Sequence, residues 1–315
     1  MSIEKACPSA GPAPSRRTLS GPTMGTRFSC VYFARQDFDE SRLARALLEA
    51  VGNVDQQMSS WKASSDLNRL NAADIGAWVS VPGELETVLA SAIEIGRQSQ
   101  GLFDIGVGDA LRAWGFGAAA TAPDGALIAA LPPVRLAAHD VLDVDMLQHR
   151  VRKRAAISLD LSGIAKGFGV DELARVMNAF GMRDWLVGID GEMRARGAKP
   201  DGSPWVVAHE RPTPGVREPM GVLELSDIAV ATSGNYRHFH EIDGRRVSHT
   251  IVPESGCPLD NGIASVTVLA TTCMAADAWA TALLVAGLVS GLELARKAGV
   301  EAIFVQQDGT IHGLG

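Results

Sequence analysis

Cysteine and tyrosine are scarce in this 315-residue sequence, which contains four cysteines and two tyrosines. The cysteines form no CxxC pair, and their long spacings fit neither a disulfide framework nor a zinc site. We therefore predict that all of them are free thiols. They are Cys7, Cys30, Cys257 and Cys273.

The sequence also lacks an excess of positive charge and a targeting segment. Its formal net charge of −7 gives no electrostatic reason to bind nucleic acid. The N-terminal segment MSIEKACPSAGPAPSRRTLSGP has no apolar signal-peptide core, and no apolar run precedes Cys7 as a lipoprotein signal requires. We expect a cytoplasmic protein. The cell envelope or periplasm is the alternative if the start is misplaced or the chain is trimmed.

A membrane-spanning run is absent too. The longest apolar stretch, CMAADAWATALLVAGLVSG, is interrupted by Asp277, Thr281 and several small residues. We therefore predict a buried helix there and no direct membrane span.

What is present is a hydrophobic fraction of 46%, enough for a large core. Residues 1–18 are rich in Pro, Ser and Ala and are predicted to be a disordered tail, and residues 19–315 a single domain. Strand patterns occur mostly in hairpins, such as HEIDGRRVSHTIV with Asp243 at its turn. Other predicted strands are TRFSCVYFA and AAISLDL, and helices lie between some of the strands. This order favours an α+β fold over a doubly wound sheet.

The segment DLSGIAKGFGVDELA, residues 160–174, follows a predicted strand and opens a helix. It matches neither GxxxxGK[ST] nor GxGxxG. A helix N-terminus attracts phosphate, Lys166 would add positive charge, and Asp160 would accept hydrogen bonds from a base or ribose. Alternatively, Asp160 or Ser162 caps the helix and Lys166 is solvated. These residues alone leave both interpretations open.

Two oxygen-bearing side chains share one face of the apolar helix. Asp277 and Thr281 are four residues apart, so both project from the same side. A carboxylate and a hydroxyl suit a hard cation such as Mg²⁺, which completes its shell with substrate phosphate. The alternative pairs Asp277 elsewhere and bonds Thr281 to its own helix.

His249 and several aromatic residues are further candidates. His249, in RRVSHTIVPESGCP, falls within a predicted β-run and is either a structural residue or a general base. The segments GPTMGT, SSWKASSDLNRLN and GLFDIGVGDALRAWGFG offer the apolar walls that a flavin or adenine needs. Their aromatic residues fit a protein core equally well.

Seven segments, taken together and in order, resemble the ApbE family of flavin transferases, which attach FMN from FAD to other proteins. They are TMGT, SSWKASSDLNRLN, FDIGVG…WGFG, LDLSGIAKGFGVD, ATSGNYR, SHTIVPESG and ADAWATAL, from Thr23 to about Gly287. The resemblance implies an α+β, T-fold-like domain. It also implies Mg²⁺-dependent transfer of FMN from FAD to a Ser or Thr hydroxyl of an acceptor protein, with release of AMP.

The resemblance also assigns roles to individual residues. It implies that His249 is the catalytic base and that Mg²⁺ is bound by the Gly163 carbonyl, Asp277 and Thr281. The residues implied to contact FAD are Met24, Trp61, Leu102, Phe103, Asp104, Asp160, Lys166 and Ile251.

The sequence departs from the family pattern at three positions. Val252 stands where the family often has Asp, Ala280 where some members have a second Asp, and Asp190 where the family has glycine. Two alternative functions share the implied site: an FAD pyrophosphatase that yields FMN and AMP, and a non-catalytic FAD-binding protein. The chain holds no clean copy of a family acceptor site. The acceptor is therefore expected to be another protein, such as a subunit of a membrane redox complex.

Overall fold

The computed structural model describes residues 13–118, 122–242 and 244–314. In chain order the strands are β1 (Ser15–Thr23), β2 (Thr26–Ala34), β3 (Trp78–Ser80), β4 (Leu142–Asp145), β5 (Arg150–Lys153), β6 (Trp185–Ile189), β7 (Glu192–Arg196), β8 (Trp205–Glu210), β9 (Pro219–Leu225), β10 (Ala229–Gly234), β11 (Phe239–Ile242), β12 (Arg245–Ser248), β13 (Ile251–Val252), β14 (Cys257–Pro258), β15 (Ile263–Ala270), β16 (Glu301–Gln306) and β17 (Ile311–Leu314). The helices are α1 (Glu40–Met58), α2 (Asp66–Ala72), α3 (Gly83–Gln98), α4 (Gly108–Ala113), α5 (Gly125–Ala129), α6 (Ala138–Val141), α7 (Ala165–Ala179), α8 (Cys273–Ala286) and α9 (Leu288–Ala298).

The largest sheet has eight strands in the order β1-β2-β6-β7-β10-β15-β16-β17, and all of its neighbouring pairs are antiparallel. A three-stranded sheet, β3-β5-β4, and the pairs β8-β9, β11-β12 and β13-β14 lie beside it. Parallel pairing does not occur within the described ranges. The prediction of an α+β fold over a doubly wound sheet is therefore confirmed.

Helix α8 lies in the core, where it packs against β10, β15, α7 and α9. Five consecutive residues, Ala276 to Ala280, are buried, so the helix has no solvent-facing side in this stretch. Its first turn is capped twice: Thr272 accepts from the Ala275 amide, and the Asp171 carboxylate accepts from Cys273 and Met274. Within the part of the chain that the structure describes, no helix is long and apolar enough to cross a membrane.

Local sequence explains the elements that were predicted correctly. In β2 the side chains of Phe28, Cys30 and Tyr32 are buried and alternate with more exposed neighbours, as a strand with one face on the core requires. In α1 a helical period of apolar residues is buried, and the Asp39 side chain caps the first turn by accepting from the Arg42 amide. The free thiols are confirmed for Cys30, Cys257 and Cys273. Cys7 and the turn residue Asp243 lie outside the described residues.

Three predictions about elements were wrong. Ser15–Thr18 begin strand β1 and pair with β2, so the tail cannot extend to residue 18. The segment AAISLDL is not a strand, because the Asn71 side chain and residues 105–108 occupy its backbone hydrogen-bonding groups. His249 lies in the bend between β12 and β13, outside both strands.

Candidate active site

The first turn of α7 meets α8 at a very close helix contact. The Gly167 amide donates to Oδ2 of Asp277 at 2.9 Å. A Cβ atom at Gly167 would lie 2.4 Å from the carbonyl oxygen of Cys273, so only glycine lets the helices approach this closely. Asp277 is 4% exposed, and the Gly167 amide is the partner that a buried carboxylate needs.

Two further oxygen atoms lie near this contact. A Cβ atom at Gly163 would lie 3.2 Å from Oγ1 of Thr281, so the hydroxyl faces Gly163 and leaves little room for a side chain there. Because the Gly167 amide binds Asp277, it does not close the usual helical bond to Gly163, and no other described backbone amide donates to that carbonyl. Oγ1 of Thr281 also lies 2.9 Å from Oγ of Ser233 on β10.

These groups fit a magnesium ion by the chemistry of their donor atoms. A buried carboxylate, a hydroxyl and a carbonyl without a backbone partner are hard oxygen ligands of the kind that Mg²⁺ accepts. No group of three or more His, Cys, Asp or Glu side chains that could hold a metal occurs in the ranges described above. A magnesium ion here would therefore use one carboxylate and complete its shell with substrate phosphate and water.

Charged side chains continue from this contact across the sheet. Nζ of Lys166 lies 2.6 Å from Oε1 of Glu192 and 3.8 Å from Oδ2 of Asp190. Asp190 in turn lies 3.6 Å from Nη1 of Arg237. Asp190 has a φ of +55°, so the residue in the family's glycine position adopts the left-handed backbone that favours glycine.

Burial and neighbouring charges shift the pKa values of Asp277 and Lys166. Burial, followed by the negative charge of Glu192, raises the pKa of Asp277 to about 7. Burial alone would lower the pKa of Lys166, but the carboxylates of Glu192 and Asp277 hold it above its usual value. Lys166 therefore stays charged, whereas Asp277 is a carboxyl group whose ionised form a bound cation would stabilise.

His249 is held as a neutral imidazole with a defined tautomer. Its Nδ1 lies 3.0 Å from the His238 carbonyl oxygen, which can only accept, so Nδ1 carries the proton and Nε2 keeps its lone pair. Edge-to-face contacts with the rings of Phe116 and His238 hold the imidazole. Burial lowers the pKa of His249 to about 4. The hydrogen bond to the His238 carbonyl opposes this shift, and the charges of His238 and Lys166 add to it.

The acidic residues predicted to contact FAD are engaged with backbone groups. Asp160 accepts from the Ser162 amide at 2.9 Å and from the Ser162 hydroxyl, in a turn that opens α7. Asp104 accepts from the amides of Gly106 and Ala138. Burial raises the pKa of Asp104 despite these hydrogen bonds. Both side chains therefore shape the loops beside α7, and their contact with FAD stays a prediction.

The apolar residues predicted to line the FAD site lie in several parts of the fold. Phe103 packs 3.4 Å from the Cβ position of Gly163, and Leu102 packs on the same core. The Met24 side chain lies against Gly169. Ile251 is buried in a small cluster against which the partly buried Trp114 and Phe116 pack. Trp61 is 68% exposed in the loop between α1 and α2, and its contact with FAD stays a prediction.

Three residues that the sequence did not single out contribute to the cluster. Glu192 is 3% exposed and pairs with Lys166, Arg237 pairs with Asp190 and Glu210, and Ser233 meets Thr281. The family resemblance was the sequence signal that could have identified these residues. Glu192 is the last residue of IDGE, which matches the family's GGD, and Ser233 and Arg237 lie in ATSGNYR. A cavity of about 660 Å³ lies elsewhere, and none of its lining residues is a predicted site residue.

The fold and the site together define a class of protein. An antiparallel α+β domain carries the buried carboxylate of Asp277, the neighbouring oxygen atoms of Gly163 and Thr281, and a neutral histidine. Such a combination suits metal-assisted group transfer. The model of the ApbE family matches residues 24–304. The chain therefore belongs to the ApbE family.

Relatives agree with this membership over nearly the whole chain. A Vibrio cholerae protein named FAD:protein FMN transferase is 34% identical over 291 residues, which cover 91% of this chain and 86% of that protein. A Klebsiella pneumoniae protein of the same name is 33% identical over 306 residues, covering 95% and 87%. The apo crystal structure of Pseudomonas stutzeri flavinyl transferase ApbE is 34% identical and matches with a TM-score of 0.84, covering 96% of this chain and 95% of that one.

Proposed function

We propose that this chain transfers FMN from FAD to a Ser or Thr hydroxyl of an acceptor protein, in a Mg²⁺-dependent reaction that releases AMP. Family membership supports flavin transfer, because the relatives described above are named for it. The observation that carries the proposal is the proximity of oxygen atoms from the turn before α7 and from α8, with Nε2 of His249 free to accept a proton.

The metal would be held by Asp277, Thr281 and the carbonyl of Gly163. When bound, Mg²⁺ supplies positive charge that offsets the negative charge of the pyrophosphate and of the leaving group. Lys166 adds a fixed positive charge beside the same helix start. Met24, Trp61, Leu102, Phe103, Asp104, Asp160 and Ile251 are proposed to contact FAD.

His249 acts as the general base in this proposal. Its Nε2 takes the proton of the acceptor hydroxyl while the hydroxyl oxygen forms a bond to the FMN-side phosphorus of FAD. The bond from that phosphorus to the AMP oxygen breaks, and AMP leaves. Because Nδ1 donates to the His238 carbonyl, the imidazole presents Nε2 in one orientation.

The acceptor is proposed to be a separate protein with a Ser or Thr flavinylation site, such as a subunit of a membrane redox complex. An acceptor in the same chain is not favoured, because the sequence contains no clean copy of the short family acceptor site. Comparing whole-cell protein mass spectra with and without this protein, and searching for FMN adducts, would identify the acceptor.

The test of the base uses purified protein, FAD, Mg²⁺ and an acceptor protein with a Ser/Thr site. We expect His249→Ala to bind FAD but to lose about 10²- to 10⁴-fold in labelling rate. Adduct formation is followed by mass spectrometry and AMP by chromatography. His312→Ala is the matched control, because His312 lies on β17 and contacts Gln306. Labelling by His249→Ala at the wild-type rate would exclude the base, and AMP release without adduct would identify a pyrophosphatase.

A further inference from the structure

Glu192 is a buried carboxylate that the proposed reaction does not use directly. It is 3% exposed at the start of β7. Its Oε1 lies 2.6 Å from Nζ of Lys166, and its Oε2 accepts from the Gly191 amide at 3.2 Å. Both oxygens therefore have partners, and Lys166 is fixed by a short charge-assisted hydrogen bond.

Lys166 stands beside a second carboxylate with which it does not pair. The amide of the next residue, Gly167, donates a hydrogen bond to Asp277 at 2.9 Å. The backbone of Lys166 therefore lies close to the Asp277 carboxylate. Within the described ranges the ion pairs of Lys166 are with Glu192 and Asp190, and none joins it to Asp277. The negative charge of Asp277 nevertheless contributes to raising the pKa of Lys166.

A lysine ammonium and a divalent cation compete for a buried carboxylate. Asp277 is 4% exposed and needs positive charge when ionised. If Lys166 were released from Glu192, the Asp277 carboxylate, whose charge already acts on Lys166, would be a buried anion to attract it. The ammonium would then neutralise the carboxylate and occupy its remaining oxygen.

We propose that Glu192 is a positioning residue that holds the ammonium of Lys166 away from Asp277, which keeps that carboxylate open for a divalent cation. This inference rests on the magnesium ligands of the proposed function. It assigns Glu192 an effect on metal affinity even though it lies outside the ligand set, as partners of metal-site residues commonly have.

The test measures Mg²⁺ binding to the full-length protein by calorimetry without FAD. We expect Glu192→Gln to weaken Mg²⁺ binding by about 10- to 100-fold, the usual effect of removing such a partner. Asp190→Asn is the matched control. It removes a negative charge 3.8 Å from the same ammonium but leaves the bond to Glu192 in place. We expect little change in the Mg²⁺ affinity of that variant. An equal loss of affinity in both variants would mean that any nearby negative charge has the same effect, which would overturn the proposal.

A second substitution at Lys166 distinguishes two causes of weaker Mg²⁺ binding, competition from the lysine ammonium and damage to the fold. In Glu192→Gln/Lys166→Met the competing ammonium is gone, so we expect Mg²⁺ affinity to return close to that of the wild type. Replacing a buried pair by neutral side chains is also usually tolerated. A double variant that binds as weakly as Glu192→Gln would overturn the proposal. If circular dichroism shows that Glu192→Gln is unfolded, Glu192→Asp keeps the charge but retracts it by one methylene; wild-type binding there would also overturn the proposal.

The result for the wild type separates this inference from the proposed function. Wild-type protein that binds no Mg²⁺ either without or with FAD would remove the metal assignment itself and this proposal with it. Wild-type binding together with unchanged binding by Glu192→Gln would overturn only the role of Glu192.

Discussion

His249 is an imidazole whose surroundings favour its neutral form. Burial lowers its pKa to about 4, well below the value near 6.5 of an unperturbed histidine. Between these values the unfolded chain carries a proton at this position that the folded protein does not. The contribution of His249 to the free energy of unfolding therefore increases as pH rises from about 4 to about 6.5 and is constant above that range.

We therefore predict a pH-dependent difference in melting temperature between the wild type and His249→Gln. The wild type should gain relative to the variant as pH increases from about 4 to about 6.5, because the variant has no proton to lose there. Melts followed by circular dichroism at several pH values measure the difference, and other titrating groups largely cancel in it. A difference that stays constant across this window would contradict the lowered pKa.

At the level of single residues, the sequence singled out the proposed metal ligands but not the residues that contact the site from other strands. Asp277 and Thr281 share a helix face, so their proximity follows from spacing alone. The partners Glu192 and Ser233 come from strands 26 and 48 residues away from Lys166 and Thr281. Contacts between residues so far apart in the sequence depend on the packing of the whole sheet. Local sequence patterns do not contain that information.

At the level of elements, Gly167 sets the distance between α7 and α8. An added Cβ atom would lie 2.4 Å from the Cys273 carbonyl oxygen and 2.8 Å from Cβ of Asp277. We predict that Gly167→Ala lowers the free energy of unfolding by about 1–3 kcal/mol, the usual cost of overpacking. The helices must separate, so Mg²⁺ binding should weaken as well. Urea unfolding and calorimetry measure the two effects.

The control for this substitution is Gly52→Ala in the interior of α1. Apart from the chain neighbours and the backbone of α1 itself, no atom lies within 4 Å of its Cβ position. Alanine should therefore raise stability by about 0.5–1 kcal/mol through helix propensity. A Gly167→Ala variant that is stabilised to the same degree would show that the α7–α8 contact is not as close as described.

The elements that sequence patterns predicted have strong periodicity or long apolar runs. Helix α8 is apolar apart from Asp277 and Thr281, and strand β2 alternates clearly. The segment AAISLDL has the composition of a strand, but Asn71 binds both the amide and the carbonyl of Leu159 and replaces a strand partner. A side chain 88 residues away thus decided the local structure, which propensity cannot reveal.

At the level of the whole molecule, the proposed site is assembled from segments that span most of the chain. Met24 lies in the turn between β1 and β2, Gly163 precedes α7, and Thr281 lies on α8 near the C-terminal end. The ligand set therefore exists only when the sheet and its helices are folded together. FAD and Mg²⁺ should bind the folded state and stabilise it globally.

We predict that FAD and Mg²⁺ together raise the melting temperature by more than the sum of their separate effects. Either ligand alone at 100 times its Kd should stabilise the fold by about 2.7 kcal/mol. If the metal binds both Asp277 and a phosphate of FAD, each ligand must increase the affinity of the other by the same factor. Asp277→Ala should keep the increment from FAD and lose the one from Mg²⁺. Strictly additive shifts in the wild type would show that metal and dinucleotide do not share this site, because a shared ion has to couple them.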